Sequence, residues 1–527
     1  MEVSIFNDVL GPVMRGPSSS HCAAALRIGR LARDLMGGEV TEVLVEFDRA
    51  GSLPTTHDTQ GSDMGLFGGL MGWEADDERL PDSLALFRQR GGLARFETVD
   101  VGDPHPNTYR LTLRHGRATH FLRAISTGGG MMEVVELDGI AVSLHGDAHV
   151  TLLEVKAGAD GLRAAAQGLD PEGSAWFETA GRALFAVQGR GFVPAATLAA
   201  WREAGWIGRS WQLGPVLPVP TVRNSRVPYR SCAEMLATPA AATEPLWRLA
   251  ARYECERGGL TEAEVLARAV GLVRLLRRSI DQGLAGTTYA DRVLGSQSPA
   301  FARALAAGRL LEAGALNRAI LYVTALMEVK SSMGVIVAMP TAGACAALPG
   351  VVLAVAEERG VDEMGAARAL LASGVIGAFI ATRWTFAAEV GGCQAEGGAA
   401  AAMGAAALVD LAGGSASQAC GAASLALQSM LGLICDPIAN RVEAPCLGKN
   451  VLAATNALSC ANMALAGFEQ VIPFDEVVDA AKAVAERMPR EHRCTALGGL
   501  SVTPTSLAIE QRLAAARGCG AGGCGCG

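Results

Sequence analysis

The hydrophobic pattern of this chain changes period once, near residue 229, and that change fixes the class of fold open to it. Before the change, Glu39 to Phe47 alternates polar and apolar residues, as do Tyr109 to Leu113, Thr119 to Ala124 and His149 to Val155. Alternation of this kind is the signature of half-buried strands. Helical spacing lies between them, in Ala23 to Met36 and Leu84 to Arg90. After Tyr229 the spacing is helical throughout: Thr261 to Gln282, Ala300 to Leu311, Leu316 to Glu328, Val351 to Glu358, Val361 to Leu371 and Pro473 to Arg487. The expectation is an α+β protein. A mixed α/β domain spans 1–155 and a connector with short helices, punctuated by Val216-Leu217-Pro218-Val219-Pro220, spans 156–228. A mainly α-helical domain follows over 229–515, and a flexible Gly/Cys tail over 516–527.

Half of the 527 residues are hydrophobic and only 19% are charged, with 64 glycines, a composition suited to close helix packing. The net charge of −8 argues against a nucleic-acid footprint, which needs a basic face. Met1 to Asp8 has neither a basic segment nor an apolar one behind it, so a cytoplasmic protein is expected. Thirteen cysteines in such a chain point to thiols and metal rather than disulfides. The apolar runs Val335 to Val355 and Gly398 to Leu411 are interrupted by proline or glycine and are expected as buried core helices, not membrane spans.

Three of the cysteines stand in short turns marked by Gly or Pro: Cys393 in Gly391-Gly392-Cys393-Gln394-Ala395-Glu396, Cys435 before Asp436-Pro437, and Cys446 after Ala444-Pro445. Three thiolates without an evident fourth suit an iron–sulfur cluster that leaves one iron open to a small hydroxylated molecule. Cys22, Cys232, Cys255, Cys345, Cys420, Cys460 and Cys494 are expected to behave as small hydrophobes, with Cys345 alone near the site through Gly343.

Further boxes surround these turns. They are Gly11-Pro12-Val13-Met14-Arg15-Gly16-Pro17-Ser18-Ser19-Ser20-His21, Gly51-Ser52-Leu53, His105-Pro106-Asn107-Thr108 and Gly128-Gly129-Gly130 in the first part. In the second they are Ser331-Ser332-Met333-Gly334, Pro340-Thr341-Ala342-Gly343 and Leu497-Gly498-Gly499-Leu500 through Thr505. Together with the cysteine spacing, this set resembles the iron–sulfur-dependent L-serine dehydratases (L-serine ammonia-lyases), in their single-chain form with the small α/β domain first. The resemblance covers roughly the first 140 residues and Ala319 to Leu513. It implies a [4Fe–4S] cluster on Cys393, Cys435 and Cys446, a small amino-acid or hydroxy-acid substrate, no membrane or nucleic-acid partner, and a homodimer.

Ser18, Ser19, Ser20 and His21 stand at a helix start, where hydroxyls and free N–H groups suit a substrate carboxylate; the plainer reading is a serine cap. Thr341 and Gly343 offer donors in the same way, and the resemblance adds Asn107 and Ser332. His105, in a loop before Pro106, is a candidate to move a proton. Two positions depart from the family. Gln60 replaces an expected histidine and cannot act as a base, leaving His57 as a substitute. Lys330 replaces an uncharged residue, as a base or as a partner for a second carboxylate. In some members of the family a C-terminal cysteine caps the open iron at rest, which makes Cys524 or Cys526 a candidate fourth ligand. The leading expectation is dehydration of L-serine or a close relative to a 2-oxo acid and ammonia. The alternatives are β-elimination from L-cysteine or another hydroxy acid, and a non-catalytic amino-acid sensor with a redox cluster.

Overall fold

The alternating segments assemble into a sheet. The computed structural model describes residues 2–159, 161–179, 181–223 and 225–520. Six strands lie in the order Leu93–Val99, Glu42–Asp48, Thr108–His115, Ala118–Gly128, Met131–Leu137 and Ile140–Leu144. The first pair is parallel, with Val45 opposite Phe96, and the other neighbours are antiparallel, with Val45 opposite Leu111. Val43, Val45 and Phe47 point into the core, as a period of two requires. There they meet Ile28, Leu31 and Leu35 of the helix Ala24–Leu35, and Leu66, Phe67 and Leu70 of the helix Ser62–Leu70. The two helices touch backbone to backbone. A Cβ on Gly29 would stand 2.3 Å from the Leu66 carbonyl oxygen and one on Gly65 2.1 Å from that of Cys22, so only glycine fits.

The stretch 156–228, expected as a connector with short helices, instead completes a second sheet. Its antiparallel strands run in the order Ile207–Leu213, His149–Val155, Arg182–Gly189, Gly173–Thr179. With the helices Leu162–Gln167 and Ala195–Glu203 between strands, the chain order is βαββαβ. Leu153, Phe185, Leu198 and Trp201 form a small core on the helix side, while Leu152, Leu184 and Leu213 join the main core. The pattern is blurred in the sequence because Gly173–Thr179 is an edge strand in which no residue is fully buried. These elements form one unit, Val13–Ser225.

The other unit joins Met1–Pro12 to Arg226–Gly527, so the first dozen residues, expected to open the α/β domain, belong with the helices. Ser4 Oγ and the Ile5 N–H donate to the buried Glu254 carboxylate at 2.6 and 2.7 Å. Ile5 and Val9 pack where Gly374 and Gly377 leave room on the helix Glu363–Arg383. Capping boxes start Glu262–Ala285 (Thr261 with Glu264) and Ala416–Gln428 (Ser415 with Gln418). The alanine-rich helix Ala399–Leu411 is buried from Ala399 to Val409, against Ala347–Glu358, Glu363–Arg383, Ala416–Gln428 and Cys446–Leu465. Small side chains let four helices approach one. Glu363–Arg383 is long and apolar enough to cross a membrane, yet 78% of its most apolar window is buried inside the protein. The last helix, Pro504–Gly520, takes in the start of the expected tail, whereas Cys524 and Cys526 lie outside the described residues.

Candidate functional site

In the helical unit, Cys393, Cys435 and Cys446 come from three separate turns and are all buried, at 5%, 4% and 7% exposure. Gly392, left-handed at φ 66°, makes the first turn possible, because a Cβ there would meet Leu433 O at 2.9 Å and Met488 Sδ at 2.8 Å. Gln394 locks this turn to the approach to Cys435. Its N–H donates to Leu433 O, its amide nitrogen to Ala481 O, and its amide oxygen accepts from the Gly432 N–H. Cys446 is the first residue of the helix Cys446–Leu465, where the orphan N–H groups favour a thiolate. One turn on, Lys449 Nζ donates to Asp436 Oδ1 at 2.5 Å and Ile434 O at 2.7 Å, and stands 3.7 Å from Cys393 Sγ. Burial alone would lower the Lys449 amine, but Cys393 and Asp436 hold it above its ordinary value.

Sulfur is crowded here. Cys435 touches the thiols of Cys393 and Cys494, and these contacts, with burial, push it far above the usual thiol range. Burial pushes Cys446 up to about 12, partly offset by Lys330. Buried thiols in such a pocket stay protonated until a cation draws the protons off. Among the described residues, no group of three or more His, Cys, Asp and Glu side chains is spaced for a single metal ion. The donors gathered here are soft thiols, the kind that hold an iron–sulfur cluster.

Asn450 ties the pocket to the Pro340-Thr341-Ala342-Gly343 turn. Its amide nitrogen donates to Gly343 O and Cys446 O at 2.8 and 2.9 Å, and its oxygen accepts from the N–H groups of Ala346 and Ala347. Thr341 Oγ1 donates to Glu396 Oε1 at 2.8 Å, and a Cβ on Gly343 would meet that carboxylate at 2.8 Å. Desolvation, with Glu389 nearby, pushes Glu396 up to about 7. Lys330 is fully buried and donates to Val442 O, while its charge reaches Cys446, Cys345 and Glu396. Ser332 Oγ accepts from Arg292 at 2.7 Å.

The α/β unit carries the other boxes. Ser18 makes no cap hydrogen bond at the π-helical turn Ser19–Ala23; its hydroxyl lies 2.9 Å from His21 Nδ1. His21 Nε2 lies 2.9 Å from Thr56 Oγ1, which itself donates to Ser52 O. That leaves Nε2 as the donor and Nδ1 as the acceptor for Ser18. Burial pushes His21 down to about 4, so it is neutral. Ser19 is buried and Ser20 half-buried beside it. Ser52 Oγ donates to Asn107 Oδ1, and the Ser52 N–H to Pro106 O at 2.9 Å, which joins the Gly51 and His105 boxes. His105 Nδ1 accepts from the Asn107 N–H at 3.1 Å. Gln60 donates its N–H to Thr56 O, and a Cβ on the next residue, Gly61, would stand 3.3 Å from Cys22 Cβ. His57 is bound to Asp63 at 2.8 Å between Phe47 and Phe96; burial would lower it, but Asp63 raises it above its ordinary value. Sequence reasoning missed Thr56, Glu396, Lys449, Asn450 and Cys494. Glu396 and Lys449 each lie three residues after one of the turn cysteines, the signal that pointed to them.

The helical unit thus carries a pocket of buried thiols, and the α/β unit carries a network of hydroxyls and an imidazole. The serine dehydratase alpha chain family model matches residues 234–501, about half of the chain, and the chain belongs to that family. It is 44% identical over 186 residues to the probable L-serine dehydratase alpha chain of Latilactobacillus sakei, covering 35% of this chain and 89% of that one. To the probable alpha chain of Bacillus subtilis (strain 168) it is 37% identical over 239 residues, 45% of this chain and 80% of that one. It is also 40% identical over 152 residues to the probable L-serine dehydratase beta chain of the same organism, 29% of this chain and 67% of that one.

Proposed function

We propose that this chain is a lyase that removes water from L-serine or a close relative, giving a 2-oxo acid and ammonia, with a [4Fe–4S] cluster held by Cys393, Cys435 and Cys446. The observation that carries the reading is the convergence of those cysteines, from three turns, in one buried pocket beside Lys449. When bound, such a cluster supplies a Lewis acid that eases the departure of hydroxide.

The chain's own residues do the rest. The hydroxyls of Ser19 and Ser20 present donors for the substrate carboxylate, on a turn that neutral His21 holds through Ser18 and Thr56. Glu396, pushed up to about 7, exchanges a proton near neutral pH and accepts the Cα proton, with Thr341 fixing its oxygen. Lys330 and Lys449 offset the negative charge gathered at the sulfur pocket. The enamine released by dehydration tautomerises and hydrolyses in water, so no carbonyl cofactor is needed. The working form is read as a cytoplasmic homodimer.

Anaerobically reconstituted protein tests this. Iron and sulfide should bind stoichiometrically with a brown chromophore, and L-serine should yield a 2-oxo acid. A screen that includes L-cysteine, with sulfide release measured, separates dehydration from desulfidation. Equal turnover in iron-free and iron-loaded protein would refute the proposal.

A further inference from the structure

The segment between the helices Glu262–Ala285 and Ser298–Ala306 has no regular structure, yet its backbone is tied down. Glu443, three residues before Cys446, accepts the N–H groups of Val293 and Leu294 at 2.9 and 3.0 Å. Glu328 accepts those of Gln297 and Ser298. Asp291 is gripped by Arg441 through both carboxylate oxygens, at 2.7 and 2.8 Å. These three carboxylates are therefore engaged, and none of them pairs with Arg292, which the segment carries between them. Arg292 meets neutral oxygens instead: Nη1 donates to Thr287 Oγ1 at 2.8 Å and to Ser332 Oγ at 2.7 Å, and Nη2 to Thr287 O at 2.9 Å. Those bonds use three of the five guanidinium N–H groups and leave Nε–H and one Nη2–H, donors that suit a carboxylate. A half-buried guanidinium on neutral partners alone is costly until an anion completes it. With Ser331, Glu443 and Leu447, the residue after Cys446, Arg292 lines a water-sized cavity of about 10 Å³. Lys330, the residue expected to meet a second carboxylate, is fully buried and donates to Val442 O, whereas Arg292 and Ser332 are both part-exposed.

We propose that Arg292, steadied by Thr287 and Ser332, binds an acid group of the substrate beyond the carboxylate and amine common to every α-amino acid, an inference that rests on the lyase reading above. The preferred substrate is then a β-hydroxy amino acid with a second carboxylate, of which β-hydroxyaspartate is the simplest. In its dehydration the Cα–H and Cβ–O bonds break, the proton and hydroxide leave as water, and a Cα=Cβ double bond forms. The enamine tautomerises to an imine, and water displaces its nitrogen to give a dicarboxylic 2-oxo acid and ammonia, with no oxidant or reductant. L-Serine lacks the second carboxylate and leaves the guanidinium unmatched, which is how a polar site rejects an analogue that is missing one group. Because Glu443 and Glu328 fix the segment beforehand, the arginine is in place before substrate arrives.

Substrate preference in reconstituted full-length protein tests this. Wild type should turn over β-hydroxyaspartate, assayed as both diastereomers, with a higher kcat/KM than L-serine. Arg292→Gln should lower kcat/KM roughly 100-fold for β-hydroxyaspartate and less than about threefold for L-serine, at unchanged iron content, as loss of one charged partner predicts. Arg292→Lys keeps the charge without the fork and should fall between. Inhibition of wild type needs no variant: malate, which is lactate with one further carboxylate, should bind roughly tenfold more tightly than lactate. Equal losses on both substrates in Arg292→Gln make the arginine a latch for Ser332 and overturn the inference. So does a wild-type preference for L-serine, or equal inhibition by malate and lactate. Iron-loaded wild type that turns over neither substrate sinks the lyase reading itself, a result distinct from these.

Discussion

The two polar centres of this protein are prepared in opposite ways. In the α/β unit, Ser18, His21, Thr56, Ser52 and Asn107 satisfy one another through hydrogen bonds, and His21 is held neutral by burial. In the helical unit, Cys393, Cys435 and Cys494 share one buried cluster, and the thiols of Cys435, through its sulfur neighbours, and of Cys446, through burial, are pushed up. The first centre pairs unlike groups; the second gathers like ones. Complementary hydrogen-bond partners can finish a site by themselves, whereas like donors need something of opposite charge between them.

The most severe test of that contrast is Cys435→Ser. It should reduce bound iron to background and abolish turnover, while the α/β unit keeps its fold, checked by iron analysis and circular dichroism. His21→Ala should do the reverse: iron content stays at the wild-type level while kcat/KM falls roughly 10- to 100-fold, as release of the serine turn that His21 holds through Ser18 and Thr56 predicts. If His21→Ala also strips iron, the two centres are not independent. Asn450→Ala breaks a structural tie, leaving buried partners at Gly343, Cys446, Ala346 and Ala347 unsatisfied. It should cost about 2–3 kcal/mol of stability in urea unfolding.

The smallest effect is on pH dependence, and its sign differs between the units. His21 is held at about 4, below its ordinary 6.5, so its contribution to stability is present above 6.5 and lost as pH falls towards 4. Burial raises Asp410, which accepts from the Trp247 N–H in the helical unit, from 3.8 to about 6. Its contribution is therefore present below 3.8 and lost as pH rises through 6. Thermal midpoints from pH 4 to 7 should lose their acid-side decline in His21→Gln and gain stability at the upper end in Asp410→Asn. Parallel profiles in wild type and both variants would show that neither group senses the fold.

Much of the scaffold is legible from residue patterns. The helix expected from Thr261 starts at Glu262 behind that cap, and His149 to Val155 is a strand with the bounds its alternation gives. The second sheet was hidden because its edge strand Gly173–Thr179 has no buried face to impose alternation. The assignment of Met1–Pro12 to the helical unit was hidden because Glu254, which anchors Ser4 and Ile5, lies some 250 residues away. Cys393, Cys435 and Cys446, the proposed ligands, stand out in the sequence because each carries its own Gly or Pro turn, a local signal. Cys494 has no such mark: its turn is shaped by Cys435 and by Arg493 reaching back to Met488.

The sequence by itself determined the α+β division, the helical nature of the second half, the three turn cysteines and the Ser18 to His21 box, because period, caps and turn residues act over a few neighbours. Only the tertiary structure decided that Thr56 orients His21, that Asn450 binds two motif turns together, and that Cys494 rather than Cys345 or Cys420 meets Cys435. Those pairings join segments far apart in the chain. Close packing selects among them, and a local pattern carries no record of that choice.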